Sequence, residues 1–106
     1  MASRFVVYRD TIADRSVAGA VERPVLTQEF GSAFLTQTVR VVGPGSTGGP
    51  YESGEHEEVL FVLTGTGALL LGDQEIDFAP ESGMLIVPGE TYRLRADSAT
   101  EIVVVN

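Results

Sequence analysis

The strongest constraint on the fold is a succession of short segments with the alternation of β-strands, each ended by residues that favour turns. Residues 34–42, FLTQTVRVV, alternate apolar and polar side chains as a half-buried strand does. Further strands are predicted at residues 4–9, 57–64, 68–71, 75–79, 84–87, 91–96 and 100–105. Gly, Pro, Asp and Ser recur between these segments, and such residues favour chain reversals. Eight or more strands at this spacing predict an all-β protein, either an antiparallel sandwich or a barrel.

Three connecting segments carry more specific expectations. LGDQEI, residues 71–76, is typical of a tight hairpin. GPGSTGGP, residues 43–50, is interpreted as a loop, because it lacks the Gly-Lys-Ser/Thr ending and the following helix of a phosphate-binding loop. DRSVAGAVER, residues 14–23, is predicted to form one or two helical turns before Pro24.

Composition and charge exclude several classes of function. The 106 residues are enough for one domain, and no apolar run is long enough to span a bilayer. The net charge of −8 argues against nucleic acid, whose phosphates require a clustered basic surface. Because the sequence contains no cysteine, it can form neither disulfides nor thiolate ligands. We see no signal peptide and expect a cytoplasmic protein that binds neither nucleic acid nor membrane.

One strand is apolar on both of its faces. In residues 59–63, VLFVL, no polar residue alternates with the apolar ones, and residues 69–71 repeat this pattern. A barrel of this size can bury only one face of each strand, whereas a solvated face would be polar. The second face must therefore be covered, and we predict a homodimer.

Two longer segments resemble sequence motifs of one superfamily. Residues 44–65 resemble the first motif of the cupins, G-x5-H-x-H-x3–4-E-x6-G, with Gly45, Glu58 and Gly65 in register. Residues 82–96, SGMLIVPGETYRLRA, resemble the second cupin motif. The resemblance implies a single-domain, RmlC-like jelly-roll barrel over residues 1–106. In this barrel an N-terminal arm of about residues 1–32 precedes the cupin motifs at about residues 33–106.

The resemblance also shows which metal ligands of the family are missing here. Typical cupins hold Mn, Fe, Ni or Zn through two histidines and a glutamate of the first motif and a histidine of the second. With four spacer residues before Glu58, the first-motif histidine positions hold Tyr51 and Ser53. With three spacers they hold Glu52 and Gly54. Neither alignment supplies a histidine.

The second motif also lacks its histidine. If one residue is deleted from the motif, Tyr92 stands at the histidine position, and otherwise Arg93 does; an inward Tyr92 suits the strand better. A transition-metal site needs about three protein donors, usually with imidazole among them. We therefore expect no metal cofactor. If a divalent metal such as Mn, Fe, Ni or Zn does bind, its ligands would be Glu52, His56 and Glu58.

Three residues are candidates for catalysis, and each has a plainer alternative. Glu58, inside the barrel, could act as general acid or base, or it could be an exposed strand entrance. His56 is the only histidine and could shuttle protons, or it could lie in a surface loop beside acidic residues. Tyr92 could donate a hydrogen bond to a substrate oxygen, or it could simply fill the volume that a metal would occupy.

A second group of residues is predicted to line the substrate pocket at the mouth of the barrel. Arg40 belongs to this group if it faces inward, where it could reach a carboxylate; on a solvated face it would take no part. The other members of the predicted pocket are Tyr51, Glu52, Ser53 and Leu60.

Three functions remain open from the sequence. The first is an enzyme that transfers protons on a small organic substrate, in isomerisation, cyclisation or decarboxylation, without a metal or with an atypical one. The second is a non-catalytic module that binds or senses a small ligand. The third is a conventional metallo-cupin, such as a dioxygenase, with a rearranged ligand set. The fold does not choose among them, because one barrel can support many chemistries.

Overall fold

The computed structural model describes residues 9–27 and 35–106, which form a short 3-10 turn and ten strands. The turn spans Arg9–Thr11, and an ion pair between Arg9 and Glu101, with N···O at 2.6 Å, ties it to the last strand. The strands are β1 Arg15–Val17, β2 Ala20–Leu26, β3 Gln37–Val42, β4 Thr47–Glu52, β5 Glu58–Thr64, β6 Gly67–Leu71, β7 Gln74–Phe78, β8 Gly83–Ile86, β9 Thr91–Ala96 and β10 Thr100–Val105.

The strands form two antiparallel sheets. One has six strands in the order β1-β2-β3-β10-β5-β8, and the other has four in the order β4-β9-β6-β7. Every strand pair in both sheets is antiparallel, so the predicted all-β class is confirmed. Neighbours such as β3 and β10 are far apart in sequence, as expected for a jelly roll rather than a simple meander.

The core lies between the two sheets and follows from strand alternation. Along β5, Leu60 and Val62 point inward and are fully buried, whereas the residues between them face outward. From the opposite sheet, Leu94 of β9 and Leu69 of β6 close the same cluster. One face of each sheet therefore builds the interior, as in other packed pairs of sheets.

The predicted hairpin at residues 71–76 is confirmed, but the predicted helical turns at residues 14–23 are wrong. Leu71 pairs with Gln74, and Gly72 has φ +55° at the first position of the two-residue turn between them. Residues 15–26 instead form the hairpin of β1 and β2, which turns at Ala18 and Gly19 with φ of 46° and 79°. Pairing of β2 with β3 satisfies the backbone of this segment and overrides its weak helical tendency.

Two other predicted segments differ in extent from the observed ones. Half of the glycine-rich segment at residues 43–50 belongs to β4, which pairs with β9 through a register shift between Gly48 and Tyr51. The shift accommodates the glycines without ending the strand, as a β-bulge does. The strand predicted at residues 4–9 lies outside the described residues except for Arg9, which is in the 3-10 turn, and β3 begins at Gln37 rather than residue 34.

The outer faces of the two sheets differ in polarity. The four-stranded sheet presents charged side chains, among them Arg95, which pairs with Glu75 at 2.7 Å. The six-stranded sheet presents an outer apolar face on β5 and β8 and the loop after β8. This face consists of Val59, Phe61, Leu63, Leu85 and Val87, all exposed. Strand β5, which contains the segment 59–63 that is apolar on both faces, thus buries one face and exposes the other within a single chain. Within the described ranges, no helix is long and apolar enough to cross a membrane.

The core assignment predicts a large loss of stability when Leu94 is truncated. Leu94→Ala should lower the free energy of unfolding by about 2–5 kcal/mol, because Leu94 is fully buried between the sheets. Ile76→Ala, on edge strand β7 and 46% exposed, should cost about 1 kcal/mol or less. Denaturant unfolding of both variants measures the difference. Equal losses would show that Leu94 is not part of a tightly packed core.

Candidate active site

A continuous line of polar side chains runs through the otherwise apolar interior. Each member is hydrogen-bonded or ion-paired to the next, and the line connects strands β1, β2, β3 and β5 of the six-stranded sheet through β9 of the other sheet. We call it the interior polar chain; its members are Arg15, Glu22, Arg40, Tyr92, Glu58 and Asn106.

Glu58 is the carboxylate at the centre of this arrangement. It is the first residue of β5, points into the barrel as the motif register predicts, and is only 3% exposed. Its Oε1 accepts a hydrogen bond from the Tyr92 hydroxyl, and its Oε2 accepts one from Asn106 Nδ2 at 2.7 Å. The alternative of an exposed strand entrance is wrong, because both carboxylate oxygens are held inside by neighbouring strands.

Tyr92 is the neutral partner of Glu58. It lies in β9, is buried, and accepts a hydrogen bond from Arg40 Nη1 at 2.8 Å while it donates to Glu58. Burial raises the pKa of the Tyr92 phenol well above its ordinary value; Glu58 adds to this effect, and Arg40 opposes it. The hydroxyl therefore stays protonated at neutral pH. Arg93, the alternative occupant of the second-motif position, is exposed.

Arg40 brings a positive charge into the interior. Its Nε donates to Glu22 Oε2 at 2.6 Å, and its guanidinium carbon lies 3.7 Å from the centroid of the Tyr51 ring, a cation–π distance. Burial works against the charge, but Tyr92 and Glu22 outweigh it and raise the pKa of Arg40. The inward orientation considered for Arg40 is thus observed, whereas the solvated-face alternative is wrong. The carboxylate that Arg40 reaches is Glu22, not Glu58.

Sequence reasoning missed three members of the interior polar chain, Arg15, Glu22 and Asn106. Glu22 lies in the segment taken for helical turns, and it becomes an inward residue only once β2 is recognised, opposite Arg40 of β3. Asn106 follows β10, in which Ile102 and Val104 point inward. Because side chains alternate along a strand, Asn106, two residues after Val104, is expected to point inward as well. This alternation was the sequence signal that could have identified Asn106.

Three predicted pocket residues are inside the protein. Tyr51 pairs with Tyr92 across β4 and β9 with ring centroids 5.4 Å apart, and burial raises the pKa of the Tyr51 phenol. Leu60 belongs to the packed core. Ser53 is buried, but its Oγ donates to the carbonyl of Val87 at 2.8 Å and accepts from the Glu90 amide at 3.2 Å. Ser53 therefore stabilises a turn, whereas Tyr51 packs against Tyr92 and Leu60 lies in the core on the same strand as Glu58.

Two other predicted site residues, His56 and Glu52, are exposed and not inside the protein. His56 is exposed in the turn before β5, so it does not share the inward face of Glu58 as a regular strand would require. Glu52 is exposed on β4. The fallback ligand set of Glu52, His56 and Glu58 is therefore not assembled. Across residues 9–27 and 35–106, no group of three or more His, Asp or Glu side chains is placed to hold a metal ion.

The donors around Glu58 do not fit the divalent metal that the cupin motifs imply. Both of its carboxylate oxygens already accept hydrogen bonds, and its nearest neighbour, Tyr92, is a phenol that burial keeps protonated. Behind Tyr92 stands the Arg40 cation, which would repel a second positive charge. A soft or nitrogen donor, which transition metals prefer, is missing from this cluster.

An open groove of about 350 Å³ lies on the four-stranded sheet. It is lined by Pro50, Leu70, Gly72, Thr91, Tyr92 and Arg93. None of the residues predicted to line a pocket at the barrel mouth lines this groove, and of the three catalytic candidates only Tyr92 does. The groove is therefore separate from the predicted pocket.

Solved structures with the same architecture are numerous. The polyketide cyclase RemF from Streptomyces resistomycificus is 22% identical with a TM-score of 0.80, over 94% of this chain and 76% of that one. A predicted oxalate decarboxylase from Thermotoga maritima is 15% identical with a TM-score of 0.81, over 94% of this chain and 96% of that one. An RmlC-like cupin from Shewanella frigidimarina is 9% identical with a TM-score of 0.77, over 92% and 85% of the two chains.

These similarities concern the fold, because their sequence identities are low. No protein-family model matches the chain, and no curated protein sequence matches it. The structural matches nevertheless span nearly all of the chain and include proteins named as cupins. Together with the two sheets and the two motif segments, they confirm the resemblance seen in the sequence: the chain has the cupin fold, an antiparallel jelly-roll barrel.

Proposed function

We propose that the protein is a small-molecule enzyme that transfers protons inside the barrel without a metal ion. The observation that carries this proposal is the buried hydrogen bond between the Tyr92 hydroxyl and the Glu58 carboxylate, with the Arg40 cation on the far side of the phenol. The two groups are in contact and shielded from water. The carboxylate can act as a base that removes a proton, and the phenol can donate a hydrogen bond to the oxygen on which charge develops.

The reaction class follows from these two groups. Glu58 would take a proton from a carbon next to a carbonyl, so the C–H bond breaks and its electron pair forms an enolate. Tyr92 would donate its hydrogen bond to the enolate oxygen, and Arg40 would stabilise the charge on that side. Return of the proton to another carbon gives isomerisation. Attack of the enolate carbon on a second carbonyl of the same molecule forms a C–C bond, and the alkoxide so formed takes the proton back from Glu58, which gives cyclisation. The fold similarity to a polyketide cyclase supports including cyclisation.

A non-catalytic small-ligand module is the second candidate, and one observation favours it. Glu58 and Tyr92 already have hydrogen-bond partners within the chain, on both carboxylate oxygens and on the phenol. A ligand would have to replace one of these partners, which a binding module tolerates and a fast enzyme must overcome at each turnover.

Replacement of the base separates the two candidates. Wild-type protein in D2O should catalyse exchange of C–H protons for deuterium in a panel of small carbonyl compounds, followed by NMR. Glu58→Gln should lower the exchange rate by about a hundredfold or more, the usual contribution of a general base. Glu57→Gln is the matched control, because Glu57 is adjacent in sequence but exposed. Binding of a compound without exchange would favour the binding module, and full exchange by Glu58→Gln would refute the role of Glu58.

The protonated state of Tyr92 predicts a specific pH dependence of stability. Burial raises its pKa in the folded state above the unfolded value of about 10. Tyr92 therefore stabilises the fold fully below about pH 10, and this contribution is lost as the pH rises towards the folded-state pKa. Tyr92→Phe should make the alkaline fall in unfolding free energy shallower. At neutral pH the same substitution should lower the free energy of unfolding by about 1–3 kcal/mol, because Glu58 loses a hydrogen-bond donor.

Denaturant titrations at several pH values measure this prediction. Tyr51→Phe is the comparison: burial raises the pKa of Tyr51 as well, but Tyr51 has no hydrogen bond to Glu58, so its effect should be smaller. An unchanged alkaline slope in Tyr92→Phe would contradict a buried, protonated phenol.

We also propose that the functional unit is a homodimer that covers the outer apolar face. The face is formed by side chains of β5, β8 and the following loop, and these positions carry no charge. Because the opposite sheet is charged on its outside, the two faces are not equivalent, and the apolar one is suited to a second copy of itself. An apolar sheet face of this kind is a liability in a monomer.

Light scattering at micromolar concentration tests the dimer. The wild-type protein should have twice the mass of one chain, and Phe61→Glu should be monomeric, because it places a charge at the centre of the covered face. Arg93→Glu, on the outer side of the four-stranded sheet, should remain dimeric. A monodisperse wild-type monomer would refute the proposal.

A further inference from the structure

Glu58 has a second partner, which lies at the edge of the barrel. Asn106 follows β10, and its Nδ2 donates to Glu58 Oε2 at 2.7 Å. Glu58 is buried, whereas Asn106 is exposed, so Asn106 lies at the solvent end of the interior polar chain.

Asn106 is itself held in place by Thr36. The Thr36 amide donates to the Asn106 carbonyl at 2.6 Å, and the Asn106 amide donates to the Thr36 carbonyl at 3.1 Å. The Thr36 hydroxyl also donates to Asn106 Oδ1. Two backbone bonds and the Thr36 hydroxyl, which also lies 3.4 Å from the Asn106 backbone oxygen, thus hold Asn106 in place.

The Glu58 carboxylate, which can only accept, decides that the Asn106 amide nitrogen faces it, and the Thr36 hydroxyl holds the amide oxygen on the other side. A carboxamide has one acceptor oxygen and one donor nitrogen. When its oxygen accepts from the Thr36 hydroxyl, its nitrogen must face Glu58. The donor is uncharged, so it fixes the carboxylate and leaves its negative charge in place. An arginine or lysine would neutralise that charge.

We propose that Asn106 and Thr36 are positioning residues for Glu58, which hold its carboxylate so that Oε1 faces the Tyr92 hydroxyl. With Oε2 fixed by Asn106, rotation of the carboxylate about its terminal bond is blocked, and Oε1 is directed at the phenol. The catalytic meaning of this positioning rests on the proposed function. The positioning itself rests only on the contacts, and it can be measured without a substrate.

The NMR resonance and the exchange rate of the Tyr92 hydroxyl proton test this positioning. A buried hydroxyl that donates to a carboxylate exchanges slowly with water and has a downfield NMR resonance, and Tyr92→Phe assigns it by its loss. Asn106→Ala should move this resonance upfield and increase the hydroxyl exchange rate at least tenfold. Thr36→Val, which keeps the shape but lacks the hydroxyl, should act in the same direction. Thr36→Ser, which restores the hydroxyl, should resemble the wild type.

A double mutant separates positioning from general destabilisation. In a Glu58→Gln background, adding Asn106→Ala should change the resonance no further, because the carboxylate that Asn106 orients is gone. Should Asn106→Ala fail to fold, the Thr36→Val and Thr36→Ser pair carries the same test. A wild-type resonance in both Asn106→Ala and Thr36→Val would overturn the proposal.

Failure of the proposed function is distinguishable from failure of this inference. If the resonance responds as expected but the wild type exchanges no carbonyl compound, the positioning stands and the enzymatic function does not. If Glu58→Gln abolishes exchange while Asn106→Ala keeps both the wild-type resonance and the wild-type exchange rate, the function stands and the positioning is wrong. If both hold, Asn106→Ala should lower kcat about tenfold with KM unchanged, as loss of orientation does.

Discussion

The arrangement of the interior depends on the buried Arg40 guanidinium. A charge inside a barrel is costly unless partners compensate it, and Arg40 has the Glu22 carboxylate at 2.6 Å and the face of Tyr51 at 3.7 Å. Its remaining contact is the Tyr92 oxygen, through which it influences Glu58. Arg40 thereby helps to bury two carboxylates, Glu22 by direct contact and Glu58 through Tyr92. Without Arg40, Glu22 would keep only its ion pair with Arg15, at 3.4 Å.

This charge balance gives a physical account of the missing histidines. With four spacer residues before Glu58, Tyr51 takes a histidine position of the first motif, and with one residue deleted from the second motif Tyr92 takes its histidine position. The two rings pack against each other and against Arg40. The Arg40 cation of β3 therefore lies among these aromatic residues and contacts Tyr92, a hydrogen-bond donor of Glu58. What the site retains is a carboxylate, a protonated phenol and a fixed positive charge, which suits proton transfer better than metal binding.

The two sheets contribute different kinds of side chain to the site. The six-stranded sheet contributes Glu22, Arg40, Glu58 and, just beyond β10, Asn106, so most of the interior polar chain is held by adjacent strands of a single sheet. The four-stranded sheet contributes the aromatic side chains that close over them. Because the polar groups lie on neighbouring strands, their spacing is set by backbone pairing and not by flexible loops. Such positioning by rigid elements favours a precise site.

The sequence by itself determined the all-β class, the hairpin at residues 71–76 and the inward direction of Tyr92, because alternation and turn residues act over a few neighbouring positions. The inward direction of Glu58 was indicated by the register of the cupin-like motif. The sequence could not place Glu22 opposite Arg40 or Asn106 against Glu58, since these contacts join residues 18 and 48 positions apart. It also left His56 open between a proton shuttle and a surface loop, and the turn before β5, which leaves His56 exposed, decides for the loop. Only the tertiary structure decides such contacts, because strand order and register, which bring distant residues together, are properties of the whole sheet and not of any local segment.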